Sequence, residues 1–200
     1  MSKHTERTAQ TKQKLIDSFW ELYCEKNIEK ITVKAITDNA GFYRSTFYEY
    51  FSDVYEVLEE IESILLSQQQ EVVNKIYETN NIFDAQKLAL DFFESNADHL
   101  AVLLGPNGDH NYLVELKRLI SKTVREKLQI EEDDLKLQIF FEVLSNSAIG
   151  LLNYWYQNRE TITLQETFFN GMDILQHGSF EYMKEYNVPF MKEKKIIATG

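Results

Sequence analysis

Apolar side chains return every third or fourth position along almost the whole chain, the spacing that lays one stripe down a helix of 3.6 residues per turn. Leu15, Ile16, Phe19, Leu22 and Tyr23 mark a first helix over 8–26, and the pattern breaks at 27–31. Thr32 is placed to cap a short helix over 33–40, with Ala35, Ile36 and Ala40 inward; Gly41 follows where a sharp turn is needed. A second short helix, 43–51, sets Phe47 and Phe51 one turn apart on its inner face. Asp53, with Glu56 three residues on, opens a long helix to about 78, striped by Val54, Val57, Leu58, Ile61, Leu65, Val72 and Ile76.

Asn80-Asn81 separates it from a helix over 82–97 carrying Leu88, Phe92 and Phe93. A short apolar segment at 99–104 runs into Gly105-Pro106-Asn107-Gly108, the clearest loop in the chain. Asp109 caps a helix over 110–128, and the acidic run 131–134 suits the start of another over 133–158, where the helix dipole favours negative charge. Thr163 with Glu166 forms a capping box for a last long helix over 164–177, with a resumption to Tyr186 left open. No stretch reads as a strand. The expected fold class is all-α: a three-helix head over 1–52 and a larger helical domain over 53–200.

Composition agrees. Apolar residues make up 44% of the 200, Gly and Pro number only 7 and 2, and 13 Phe with 11 Tyr supply bulky filling for a core and a pocket. No run approaches 18 consecutive apolar residues and the first six residues are polar, so a soluble, cytoplasmic protein with no membrane partner is expected. Cys24 is the single cysteine, which excludes an internal disulfide; beside Leu22 and Tyr23 it is expected to be a small buried filler.

The net charge of −11 at first opposes nucleic-acid binding, but its distribution changes the picture. Residues 1–51 hold 8 of the 21 basic and 7 of the 32 acidic residues, leaving 13 basic and 25 acidic in 52–200. The acidic body suppresses non-specific attraction and confines phosphate contact to the head. A head this weakly basic must recognise its target by shape and base contacts as well.

Two short helices joined by a glycine turn cannot bury themselves, and the helix over 8–26 is the lid they need. The outer face of 43–50 then carries Tyr43, Arg44, Ser45, Thr46, Tyr48 and Tyr50, a compact hydrogen-bonding surface such as a recognition helix offers a major groove. Residues 8–58 resemble the DNA-binding head of the TetR/AcrR family of transcriptional regulators. The likeness rests on Thr32, Ile36, Ala40-Gly41, Ser45-Thr46-Phe47-Tyr48 and Phe51. Ala148-Ile149-Gly150-Leu151-Leu152 through Trp155, followed by 163–178, is similar to the last two helices of many members, which pair with their copies in a dimeric four-helix bundle. Two positions depart from the pattern: Tyr43 stands where a small polar residue is common, and Val54 where a lysine is.

The resemblance implies Arg44 at a guanine edge or phosphate, Ser45 and Thr46 at base edges, and Tyr48, Tyr50, Lys34 and Thr32 at phosphates. The Tyr43 hydroxyl is left to DNA backbone or base. It also implies an effector cavity near Phe92, Phe93, His99, Tyr112, Tyr154, Trp155 and Phe168. Phe140, Phe141 and Leu144, with Leu151, Leu152, Phe168, Phe169, Met172 and Leu175, form two apolar faces broader than a monomer needs, and suggest a dimer seam.

Other chemistry is not expected. His4, His99, His110 and His177 have no partner at helical spacing, and no HExxH, CxxC, GxSxG or phosphate-binding glycine loop occurs. His99 and His110 bracket the 105–108 loop, where a shared ligand role competes with that of ordinary flanking polar residues. No catalytic residue, metal or cofactor is assigned. The expectation is a homodimeric, ligand-responsive repressor on a palindromic operator, answering to an unidentified small-molecule effector that shifts the helix at 53–78. The alternative is an adaptor or co-regulator acting through a protein partner, which the acidic body and the absent lysine favour.

Overall fold

The computed structural model describes residues 3–105, 108–129 and 135–178. Among them all regular structure is helical. Helix α1 runs Lys3–Glu25, starting before the expected 8 because its first turns are polar and carry no stripe to read. A single 3-10 turn, Ile28–Lys30, leads to α2, Val33–Ala40. The Thr32 hydroxyl oxygen accepts the Ala35 N–H at 3.1 Å, and Gly41 ends α2 at φ +74°, a left-handed conformation that costs other residues energy.

Helix α3 is only Arg44–Tyr48, shorter than the expected 43–51. The chain must unwind before Asp53, which is extended (φ −157°) to cap the next helix through the Tyr55 and Glu56 N–H groups at 2.8 and 3.0 Å. The Phe51 N–H still donates to the Phe47 carbonyl at 3.0 Å, so both rings stay on one face, 5.6 Å apart.

Helix α4, Val54–Glu78, is the spine, packed on α1, α5 and α6. Val54, Val57, Leu58, Ile61 and Leu65 are buried as the stripe requires; further along Val73 is buried and Val72 only partly. Helix α5, Ile82–Leu103, is continuous where a helix and a separate segment were expected. The polar interruption at Asp98-His99 is absorbed because the His99 ring stacks on Trp20 of α1 at 4.3 Å. Then come α6 (His110–Leu128), α7 (Leu135–Asn158) and α8 (Leu164–His177), the last opened by the full Thr163/Glu166 capping box. The expected helix start at 133, its acidic run 131–134, Pro106-Asn107 and the resumption to Tyr186 lie outside the described residues.

One buried cluster runs from Leu15, Phe19, Ile36 and Phe47 in the head, along α4, to Leu100, Tyr112 and Leu152 in the body. The Ser18 hydroxyl, itself buried, donates to the Ile36 carbonyl at 2.8 Å and ties α2 to its lid. Cys24 is exposed, which corrects the expectation of a buried filler: it lies one position, about 100° of helix, past buried Tyr23 and so turns to solvent. Among the described residues α7 is long and apolar enough to cross a membrane by length and composition, with a mean hydropathy of 1.3. In this fold it packs on α5, α6 and α8, and its Glu142 pairs with Lys117 of α6 at 2.7 Å.

Candidate functional site

Phe47 decides what α3 shows. Its ring is wholly buried (0%) on the head core, so the opposite side of this short helix must face out. That side presents Tyr43 (83% exposed), Arg44, Ser45 and Tyr48 (60%). Thr46 and Tyr50 are half-buried, Tyr50 packing against the core. Tyr43 makes no side-chain cap bond, so its hydroxyl extends beyond α3. Lys34 and Thr32 are exposed on the neighbouring α2; Lys34 lies 3.9 Å from Asp38, a surface pair too loose to hold it. The Thr32 oxygen is engaged as an acceptor in its cap, which leaves its hydroxyl proton to donate outward. A planar guanidinium fork among three hydroxyls is chemistry suited to guanine edges and phosphate oxygens. Behind it, Lys12 of α1 pairs with Glu60 of α4 at 2.5 Å and lies over the Phe51 ring, locking head to spine.

Head and body meet at a buried polar junction. Tyr23 of α1, Glu62 of α4, and Asp109 and Tyr112 at the start of α6 converge there. Among the described residues, the Glu62 Oε1 and Tyr112 hydroxyl oxygens are sealed from solvent and find no hydrogen-bond partner. Burial first, then the carboxylates of Asp109 and Glu59, push the Glu62 carboxyl up from 4.5 to about 7. Burial likewise raises Tyr23 to about 12, helped by Asp109 and Glu62, and raises Tyr112 further. A carboxyl whose native pKa exceeds its unfolded value favours the fold while protonated and loses that advantage as pH rises through the native value. Glu62→Gln, which cannot ionise, is therefore expected to stabilise the protein by about 1–2 kcal/mol near pH 8, discounted for partial exposure, and to change little near pH 4.5. Urea unfolding at the two pH values checks this; equal effects at both would remove Glu62 ionisation as the cause.

The body holds a half-open cavity of about 370 Å³ among α4, α5, α6, α7 and α8, adjoined by a smaller one of about 60 Å³. Six residues line both: Gln69, Phe93, Ile120, Ser145, Ala148 and Leu152. Of the aromatic set expected around an effector, Phe93 and Phe168 reach the wall. Phe92 and Tyr112 are buried in the core, Trp155 packs against it, His99 stacks on Trp20, and Tyr154 faces solvent. Of the residues expected at a seam, Phe141, Leu144, Leu151, Leu152, Phe168, Met172 and Leu175 line the cavity, while Phe140 and Phe169 are exposed. Gln69, Ala85, Gln86 and Ala89 were not singled out from the sequence. For the two alanines a signal was available: small residues on inward helix faces leave volume that larger ones would fill.

No family model matches the sequence, and no curated protein matches it. Solved structures do match its fold. The fatty acid degradation regulator FadR from Bacillus halodurans superposes with a TM-score of 0.59 at 19% identity, over 82% of this chain and 94% of that one. A TetR transcriptional regulator from Streptococcus agalactiae 2603V gives 0.57 at 21% identity, over 86% and 96%. A tetR-family transcriptional regulator from Streptomyces coelicolor gives 0.55 at 15%, over 90% and 84%. This chain has the all-helical fold of those regulators, head and body together.

Proposed function

We propose that the protein is a TetR-type, ligand-responsive transcriptional repressor that acts in the cytoplasm and binds a palindromic operator as a homodimer. Residues 1–52 form its DNA-binding part and 53–200 its effector and dimer part. The observation that carries this is the outward fan of Tyr43, Arg44, Ser45 and Tyr48 over a completely buried Phe47, with Lys34 and Thr32 beside it. The fold shared with transcriptional regulators supports the same reading. Helix α4 supplies the means of control, since one continuous helix carries the head contacts of Val54 to Ile61 and the cavity residues Gln69 and Ile76. A ligand that shifts α4 by a few ångströms alters the spacing of two heads that must match half-sites a helical turn or a multiple apart. Ligand and DNA then weaken each other by the same factor.

A gel shift on the DNA upstream of the protein's own reading frame, repeated over a range of salt, tests it. Saturable binding to one palindromic segment is expected. Absence of binding at every salt concentration would favour the adaptor reading.

The second copy is proposed to sit on α7 and α8. Leu135, Ile139, Val143 and Tyr154 form an exposed apolar stripe along α7, with Ile139 and Val143 each 55% exposed, and Phe169 of α8 is exposed as well. A two-fold axis brings the same stripe on each copy together. Replacing both Ile139 and Val143 by glutamate places unpaired charge in that seam, so dimer affinity is expected to fall on the order of 100-fold or more. Sedimentation at micromolar concentration would then report a monomer with an unchanged helical spectrum; a persisting dimer would move the interface elsewhere.

A further inference from the structure

We propose that the cavity takes an elongated, uncharged and mainly aliphatic ligand, anchored by one hydrogen bond to the carboxamide of Gln69. The assignment rests on the cavity being the effector site, and names the chemistry of what fills it. Among the described residues no charged side chain lines the 370 Å³ lobe. The hydroxyls on its wall are already engaged: Ser145 donates to the Phe141 carbonyl at 2.6 Å, and Thr167 to the Thr163 carbonyl at 3.0 Å. Lys117 lines only the smaller lobe, and its ammonium is held by Glu142 at 2.7 Å. An anion or cation inside would thus lose its water without gaining a counter-charge.

Of the two carboxamides on the wall, Gln69 and Gln86, Gln69 is the one that lines both lobes, while the Ser145 hydroxyl shared with it is engaged with the Phe141 carbonyl. A single hydroxyl or carbonyl is the group its carboxamide suits. Size and shape bound the rest. An apolar cavity of about 150 Å³ accommodates benzene, so the larger lobe holds roughly twice that or a little more, on the order of a dozen heavy atoms. Two adjoining lobes with a shared stretch of wall favour a chain that runs from one into the other over a compact ring system. Ile82 (60% exposed) and Leu175 (38%) mark the mouth, between the start of α5 and the end of α8.

The test is competition on the full chain. The neutral fluorophore N-phenyl-1-naphthylamine is bound first and then displaced by primary alcohols from hexanol to tetradecanol, and by the carboxylates of matching length near neutral pH. The alcohols should tighten by roughly fourfold per added methylene until the volume is filled and then level off. Carboxylates of equal length should bind at least about tenfold more weakly. Ala89→Trp fills the larger lobe and should abolish displacement, with circular dichroism confirming the fold. Gln69→Leu should narrow the gap between alcohol and carboxylate without removing the chain-length dependence. Carboxylates that equal the alcohols, affinity that ignores chain length, or displacement unaffected by Ala89→Trp would each overturn the proposal. The same alcohols are then added to the operator complex. Binding without DNA release leaves the ligand assignment standing and defeats the repressor mechanism; release caused only by charged compounds does the reverse.

Discussion

Replacing Phe47 by alanine is expected to lower the stability of the head by about 3–5 kcal/mol, the largest effect of any single change considered. The ring has no exposed surface and lies beneath the five residues of α3, edge-on to Tyr48 and tilted against Phe51. A helix this short has no stability of its own; its conformation is held by packing on α2 and by Phe47 in the buried cluster. The vacated volume lies in the cluster that holds Leu15, Phe19 and Ile36, themselves wholly buried, with Ile36 tied by the Ser18 hydrogen bond, so collapse around it is restricted. Urea unfolding followed by the fluorescence of Trp20 measures the loss. Phe47→Leu, which keeps most of the volume, should cost less than half as much. A loss below about 1 kcal/mol for the alanine variant would mean that Phe47 is not the keystone of the recognition surface.

Arg44→Ala separates recognition from folding. The side chain is exposed, so stability should change by no more than about 0.5 kcal/mol. Operator affinity should fall by about 1–3 kcal/mol for each head, and a dimer uses two, so the combined loss is expected to be about thirtyfold at the least. The loss should fall on the operator and spare random DNA, because a guanine contact carries sequence information. Lys34→Ala supplies the contrast: it should weaken all DNA alike and flatten the salt dependence by about one unit per head. Gel shifts with operator and scrambled duplex at two salt concentrations distinguish these outcomes. Equal losses on both duplexes for Arg44→Ala would assign that arginine to phosphate.

Much of this architecture was legible because its cues are local. Thr32, Asp53, Asp109 and Thr163 cap the helices expected of them, each oxygen accepting backbone N–H groups two or three residues on. Gly41 adopts the positive φ its position called for. The outward face of α3 followed from Phe47 and Phe51 sharing one side. Misreadings arose where the neighbour mattered. The His99 interruption vanished because Trp20, 79 positions away in the chain, stacks on it. Cys24 went to solvent because it stands one position past Tyr23, the last buried residue of the α1 stripe.

By itself the amino-acid order determined which residues cap and turn the chain and which side of each helix is apolar, since caps, turns and a 3.6-residue period act over a few neighbouring residues. Only tertiary structure decided what each apolar side would meet. Phe92 and Tyr112 became core, Tyr154 became surface, and Leu144, Leu151 and Met172 became the wall of a cavity. Periodicity specifies a direction around one helix axis. Whether a neighbouring helix, an empty volume or water lies in that direction depends on contacts between residues far apart in the chain.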